Sequence, residues 1–328
     1  AADDLADRIA DAPTPEAREE LLLAEPELVN DALIMALSRR AGQAAQDQNY
    51  PAAQAGFERM LDVARRVGNK RLEGEALQNL ANAKYFQRNL QGALEAYEAR
   101  LPLERERQDQ SGIAAALLGI ATIRYSFSEY ATALSTYREA LVIQERLDDT
   151  GAMATTLIST GNVLYLQGDY SAAIADYTRS RDLNRALPNA AGEADALEGL
   201  GRVFMAQGNY RAALDALNGV LAEGRARNDR NDQGAALLSI GDVLFRLGNL
   251  DGARSALVES RAHFEAVKHL SHAGRAWQGL ALVDLVASRF TLAEDEYRKS
   301  GDSCGIAGDR ECVAAAVAGL AFAQTAQD

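Results

Sequence analysis

The chain has few of the residues that carry out chemistry. Three histidines and two cysteines stand in 328 residues. His269 and His272 lie three apart near a turn and could touch one metal, but two ligands fall short of a structural zinc site, and neither cysteine is near in sequence. Solvated turn residues are the plainer reading. A Cys–His peptidase pair drawn from Cys304 or Cys312 and any histidine, His263 included, would lack a third, orienting group. No Gly-Lys-Ser/Thr sequence occurs, so there is no phosphate loop. Gly199-Leu200-Gly201 only faintly echoes a dinucleotide fingerprint. The expectation is a protein that is not an enzyme, with no cofactor and no metal.

Positive charge is also scarce. Lys and Arg number 34 against 47 Asp and Glu, a net charge of −13. Non-specific nucleic-acid binding needs a basic surface to neutralise phosphates, so nucleic acid is not an expected partner. The bland role of the acidity is to keep an elongated protein soluble; the other is a preference for a basic partner. No apolar run is long enough to span a bilayer. No segment alternates apolar and polar residues long enough to argue for a strand, which leaves an all-α chain. The scarcity of lysine beside abundant arginine and alanine suggests a GC-rich bacterial source.

What the sequence does have is a period. Ala53 recurs as Ala93, Ala133, Ala173, Ala213, Ala253 and Ala293, 40 residues apart each time. Three residues before each stands Tyr50, Leu90, Tyr130, Tyr170, Tyr210, Leu250 or Phe290, and four after it Phe57, Tyr97, Tyr137, Tyr177, Leu217, Leu257 or Tyr297. Twelve before it stands a small residue: Ala41, Ala81, Ala121, Gly161, Gly201, Gly241 or Ala281. A fixed period held through seven copies without insertion marks a solenoid. Within residues 151–190, Leu157, Gly161, Leu164 and Tyr165 keep helical spacing, Gly168-Asp169 interrupts it, and Tyr170, Ala173, Ile174 and Tyr177 resume it. Each copy is therefore a helical hairpin. Its small residues let two backbones approach, and its aromatics fill the joint towards the next copy.

The stretch Leu157, Gly161, Tyr165, Gly168, Asp169, Tyr170, Ala173, Tyr177 resembles the tetratricopeptide-repeat consensus, and Asn82, Asn162 and Trp277 also stand where that family often has these residues. The resemblance covers about 33–328. The 40-residue period, against the usual 34, and the shortage of repeat-ending proline resemble the subgroup of kinesin light chains, spindle adaptors and bacterial regions preceding CHAT domains. It implies a right-handed superhelical solenoid of seven hairpins (33–70, 71–110, 111–150, 151–190, 191–230, 231–270 and 271–310). Residues 1–32 then form an N-terminal cap, with Thr14 as N-cap before Pro15 and a short helix from Arg18 to Ala24. Residues 311–328 form a C-terminal capping helix.

Cys304 and Cys312 flank the last turn. They could bridge, which in an exported protein would pin the cap, or stand as reduced small residues in a cytoplasmic array. The opening Ala1-Ala2-Asp3 fits a cleaved signal peptide or a trimmed chain equally, so the compartment stays open.

The resemblance further implies that first helices line a concave face and second helices the convex one. It thereby nominates Gln78, Asn82, Tyr85, Leu118, Tyr125, Ile158, Asn162, Tyr165, Glu198, Arg202, Asp242, Phe245, Arg246 and Arg275 as partner-contacting residues. Asparagine amides there could grip a peptide backbone, and aromatic anchors would supply affinity. The expected function is a monomeric, non-enzymatic scaffold for a protein or peptide segment. The alternatives are the regulatory half of a CHAT-type peptidase and small-molecule sensing in the groove.

Overall fold

Each helix is punctuated by the same short device, and the device sets the architecture. In a computed structural model that describes residues 1–326, the chain forms seventeen α-helices, one 3-10 turn and no strand among those residues. From residue 48 to residue 308, every twentieth residue takes a left-handed conformation; Gly68, Gly168, Gly208, Gly248 and Gly308 supply it at lowest cost. The next residue is usually Asn or Asp, whose side chain caps the following helix: Asn69 accepts from the Leu72 N–H at 3.1 Å and Asp109 from that of Gly112 at 2.9 Å. The same residue's N–H closes the helix before it, as Asn69 does to the Ala64 carbonyl at 3.0 Å. One residue thus ends one helix and starts the next, and the 40-residue repeat is two 20-residue half-steps.

The structure comprises two compact units, Ala1–Val163 and Leu164–Asp328, of which Gln327 and Asp328 lie outside the described residues. The first contains α1 (Ala2–Asp11), α2 (Pro15–Ala24), a 3-10 turn at Pro26–Leu28, α3 (Asp31–Gln46), α4 (Tyr50–Val67), α5 (Lys70–Phe86), α6 (Leu90–Glu106), α7 (Gln110–Ser126), α8 (Tyr130–Leu147) and most of α9 (Thr150–Gln167). Thr14 caps α2 by accepting from the Ala17 N–H at 3.2 Å, and Pro15 is the first helical residue, as expected of that pair; the helix thus extends over Pro15–Ala24 and not only from Arg18. Leu5 and Ile9 of α1 are buried in one cluster with Leu33, Ile34 and Leu37 of α3, and Arg39 pairs with Asp3.

The second unit holds the end of α9, then α10 (Tyr170–Ala186), α11 (Ala190–Ala206), α12 (Tyr210–Ala226), α13 (Arg230–Arg246), α14 (Leu250–Ala266), α15 (Leu270–Val286), α16 (Phe290–Ala307) and α17 (Arg310–Thr325). In both units, consecutive helices pack antiparallel as a helical-hairpin solenoid. The periodic alanines from Ala53 to Ala293 are all 0% exposed. A methyl on Gly201 would stand 3.1 Å from Leu217 and 3.9 Å from the Ala213 carbonyl, so the small residues do mark close backbone approach.

Cys304 and Cys312 form a disulfide with Cα atoms 5.7 Å apart, linking the last turn of α16 to the first turn of α17. The histidines are not simply solvated turn residues. His269 is exposed, but the His272 ring lies 5.0 Å from Phe264 and 4.2 Å from His269, and burial holds it below the ordinary histidine range. Its neighbours include Arg275 and Asp309. No group of three metal-ligating side chains occurs among the described residues.

Candidate functional site

The odd-numbered helices from α3 to α15 are the first helices of the repeats, α17 being the capping helix, and their polar and aromatic positions make the candidate surface. In the first unit, Gln78, Asn82, Tyr85 and Phe86 of α5 face Leu118, Gly119 and Thr122 of α7 across a cavity of about 470 Å3. The ring of Tyr97, from α6, forms part of its wall. Four of the nominated residues, Gln78, Asn82, Tyr85 and Leu118, therefore converge.

The amides there are not free to grip a ligand with both ends. Tyr97 donates its hydroxyl to Asn82 Oδ1 at 2.6 Å, and Gln78 Nε2 donates to the same oxygen at 3.2 Å. Arg100 donates to Gln78 Oε1 and, through Nε, to Glu104 Oε1 at 2.9 Å. Glu104 is buried and also pairs with Arg107. The expected amide clamp is thus partly spent on holding the hairpin, because a tyrosine hydroxyl fifteen residues away reaches the first helix. The next copy repeats the arrangement, with Tyr137 Oη 3.0 Å from Thr122 Oγ1. Burial pushes both phenols above their ordinary range, and the hydrogen bonds oppose it.

Other nominated residues of this unit stand apart from the cavity. Tyr125 packs its ring 5.8 Å from that of Tyr130, and Ile158 and Asn162 are half-buried on α9.

Two cavities lie on the first-helix side of the second unit. One, of about 580 Å3, is lined by Tyr165, Arg202, Met205, Tyr210 and Arg246. The Arg202 guanidinium sits 5.7 Å from the centre of the Tyr165 ring, a cation–π contact. The other, of about 290 Å3, brings together Met205, Leu238, Asp242, Phe245, Leu257, Arg275, Gly279 and Leu282. Arg246 donates to Asp242 at 3.1 Å, which raises the arginine further above its usual range. Arg275 stands 3.6 Å from Asp309, and Gln278 Nε2 donates to the Cys312 carbonyl at 2.9 Å. Glu198 is exposed on α11 and lines neither cavity.

Sequence reasoning missed Leu257, Gly279 and Leu282 as lining residues, and the reach of the Tyr97 hydroxyl. The signal was present: the residue four after each periodic alanine changes from tyrosine to leucine at Leu217 and Leu257. Where it does, the matching first-helix position holds a charged side chain, Arg202 or Asp242, in place of the neutral Asn82, Thr122 or Asn162.

Two tetratricopeptide-repeat family models match the chain, one over residues 112–186 and 154–222, the other over 199–263. No curated protein matches it. Among solved structures, the apo form of RapI is 16% identical with a TM-score of 0.69, covering 87% of this chain and 80% of its own. The apo quorum sensor NprR from B. thuringiensis is 17% identical with a TM-score of 0.63, covering 88% and 82%. A Rap protein complexed with competence and sporulation factor is 14% identical with a TM-score of 0.56, covering 88% and 84%. At such identities the likeness is one of fold. No helix among the described residues is long and apolar enough to cross a membrane.

Proposed function

Since the chain belongs to the tetratricopeptide-repeat family, we propose that it is a non-catalytic scaffold whose first-helix face receives an extended or helical segment of a partner protein. The observation that carries this reading is the chemistry of that face. Half-exposed Tyr85, Leu118, Tyr165 and Phe245 stand in cavities beside paired charges, while the second helices turn charged residues such as Glu95, Glu98 and Glu139 outwards. The cavity of about 290 Å3, with apolar walls and a few fixed polar groups, and the more polar one of about 580 Å3 suit side chains of a bound segment. The complex of a similarly folded Rap protein with its factor supports the same direction.

The test is a peptide-display selection on the immobilised full chain, followed by hydrogen exchange with an enriched peptide. Slowed exchange in α5, α7, α11, α13 or α15 is the expected result. Protection confined to the even-numbered helices would refute the reading.

A further inference from the structure

Two hairpins carry a shorter side chain, Leu217 or Leu257, at the position where most others carry a tyrosine ring. The rings of Tyr97, Tyr177 and Tyr297 lie so close over Gly119, Gly199 and Gly319 that a methyl on any of these glycines would collide with them. Each glycine is 22 residues after its tyrosine, on the next first helix. The Tyr97 hydroxyl then reaches Asn82 and the Tyr137 hydroxyl Thr122, 15 residues earlier in each case. In the hairpin of α13 and α14 the register holds Leu257 instead of tyrosine. Gly279 is still present 22 residues later, and Asp242 stands 15 residues earlier, where Asn82 and Thr122 stand in theirs. Between them opens the cavity of about 290 Å3, walled by Leu238, Gly241, Phe245, Leu257 and Gly279, with Asp242 on its rim. In the hairpin before it, Leu217 also replaces tyrosine, but the first-helix residue is Arg202, whose guanidinium lies over the Tyr165 ring. Leu257 covers Gly279, where a methyl would stand 2.8 Å from its side chain, but leucine is shorter than tyrosine, and the end of the ring space beside Asp242 stays open in the α13–α14 hairpin.

We propose that this cavity is a socket for a tyrosine side chain of the partner segment. The ring would lie against Leu238, Phe245 and the Leu257 methyls that cover Gly279, and the phenol would donate to the Asp242 carboxylate beside Arg246, as Tyr97 donates to Asn82. The chain's own repeats supply the template for the occupant. Leucine at 257 keeps the wall apolar, and the carboxylate selects a hydroxylated ring over a bare one, since a hydrogen bond to a charged group contributes about tenfold or more. The inference rests on the reading that a partner segment lies on the first-helix face.

The experiment titrates the full chain with p-cresol, the side chain of tyrosine, and with toluene, followed by calorimetry and by methyl and ring resonances of Leu257 and Phe245. Saturable one-to-one binding of p-cresol, about tenfold tighter than toluene, is expected. Leu257→Tyr installs the ring found in the neighbouring hairpins and should abolish p-cresol binding while the melting temperature holds. Should Leu257→Tyr fold poorly, Asp242→Ala, at a partly exposed rim position, serves instead: it should keep binding but level p-cresol with toluene. Absence of saturable p-cresol binding, equal affinity for the two probes in the unaltered chain, or undiminished binding in a folded Leu257→Tyr variant would each overturn the proposal. If p-cresol fails while selected peptides still slow exchange in the first helices, the socket is wrong and the scaffold reading stands.

Discussion

The buried charges of the last hairpin should make its stability fall as pH rises. Asp284 is 0% exposed and Glu296 2% exposed. Arg254 bridges them, at 2.8 Å from Asp284 Oδ2 and 3.1 Å from Glu296 Oε1, while Arg289 pairs with Asp284 Oδ1 at 2.5 Å. The second oxygen of Glu296 has no partner. Burial first, and then the neighbouring Asp284, push the Glu296 carboxyl up to about 7 against the pull of Arg254. The folded hairpin therefore keeps a proton that the unfolded chain has already lost above pH 4.5. Its stabilising contribution is complete below that value and is lost as pH rises through about 7, a total of about 3 kcal/mol for a shift of this size. Glu296→Gln holds the neutral shape at every pH, so it should match the unaltered protein near pH 5 and exceed it by up to that amount at pH 8. Repeat arrays open locally, so the measurement is hydrogen exchange of the α15 and α16 amides. The ratio of protection factors, variant over unaltered, should rise roughly a hundredfold between pH 5 and pH 8, and intrinsic exchange rates cancel in it. A ratio that does not change with pH would refute the assignment of the proton to Glu296.

Ala213→Leu places a large side chain where α11 and α12 meet at Gly201 and should cost about 1–3 kcal/mol; an unchanged melting temperature would show that the hairpin contact is misplaced. Tyr97→Phe leaves the Asn82 oxygen short of a donor and should cost about 1 kcal/mol. Asn82→Ala should cost a similar amount, and the double variant less than the sum, because both act on one bond; full additivity in denaturant melts would contradict the coupling. Non-reducing mass spectrometry should find the chain two hydrogens lighter than its reduced form. Reduction should lower the protection of α17 by about 2 kcal/mol, as expected for a loop this short; free thiols after oxidising preparation would contradict the bridge.

The repeat was legible because its cause is steric. A residue that must be small, with aromatics at fixed offsets, leaves a mark in any sequence that keeps the hairpin, and Ala53 through Ala293 are that mark. The 20-residue half-step was harder to see. The left-handed position is filled by glycine in some copies but by Gln48, Arg88, Ser128 or Lys268 in others, so composition hides what the backbone repeats. Helix caps also vary: His269 and Arg289 stand at the capping position and make no capping hydrogen bond. Buried charge left no sign at all. Asp284 and Glu296 occupy positions that are Leu244 and Ala256 one repeat earlier, and on a helical pattern alone they read as solvated residues.

The same limit governs the candidate surface. Periodicity assigns a residue to a face, but not whether its polar atoms are already used. Asn82 was rightly placed on the first helix, yet its oxygen serves Tyr97 and Gln78, so a change there reports on folding as well as on binding. Asp242 occupies the equivalent position opposite a leucine, where it pairs with Arg246 on its own helix and is not tied to the second helix by a phenol. The repeats therefore divide by one second-helix residue. Where it is Tyr97 or Tyr137, the first-helix position is tied into the hairpin; where it is Leu257, that position stands at an open cavity. A substitution series along this register, rather than along the face as a whole, separates the residues that tie a first helix to its second from those that stand at an open cavity.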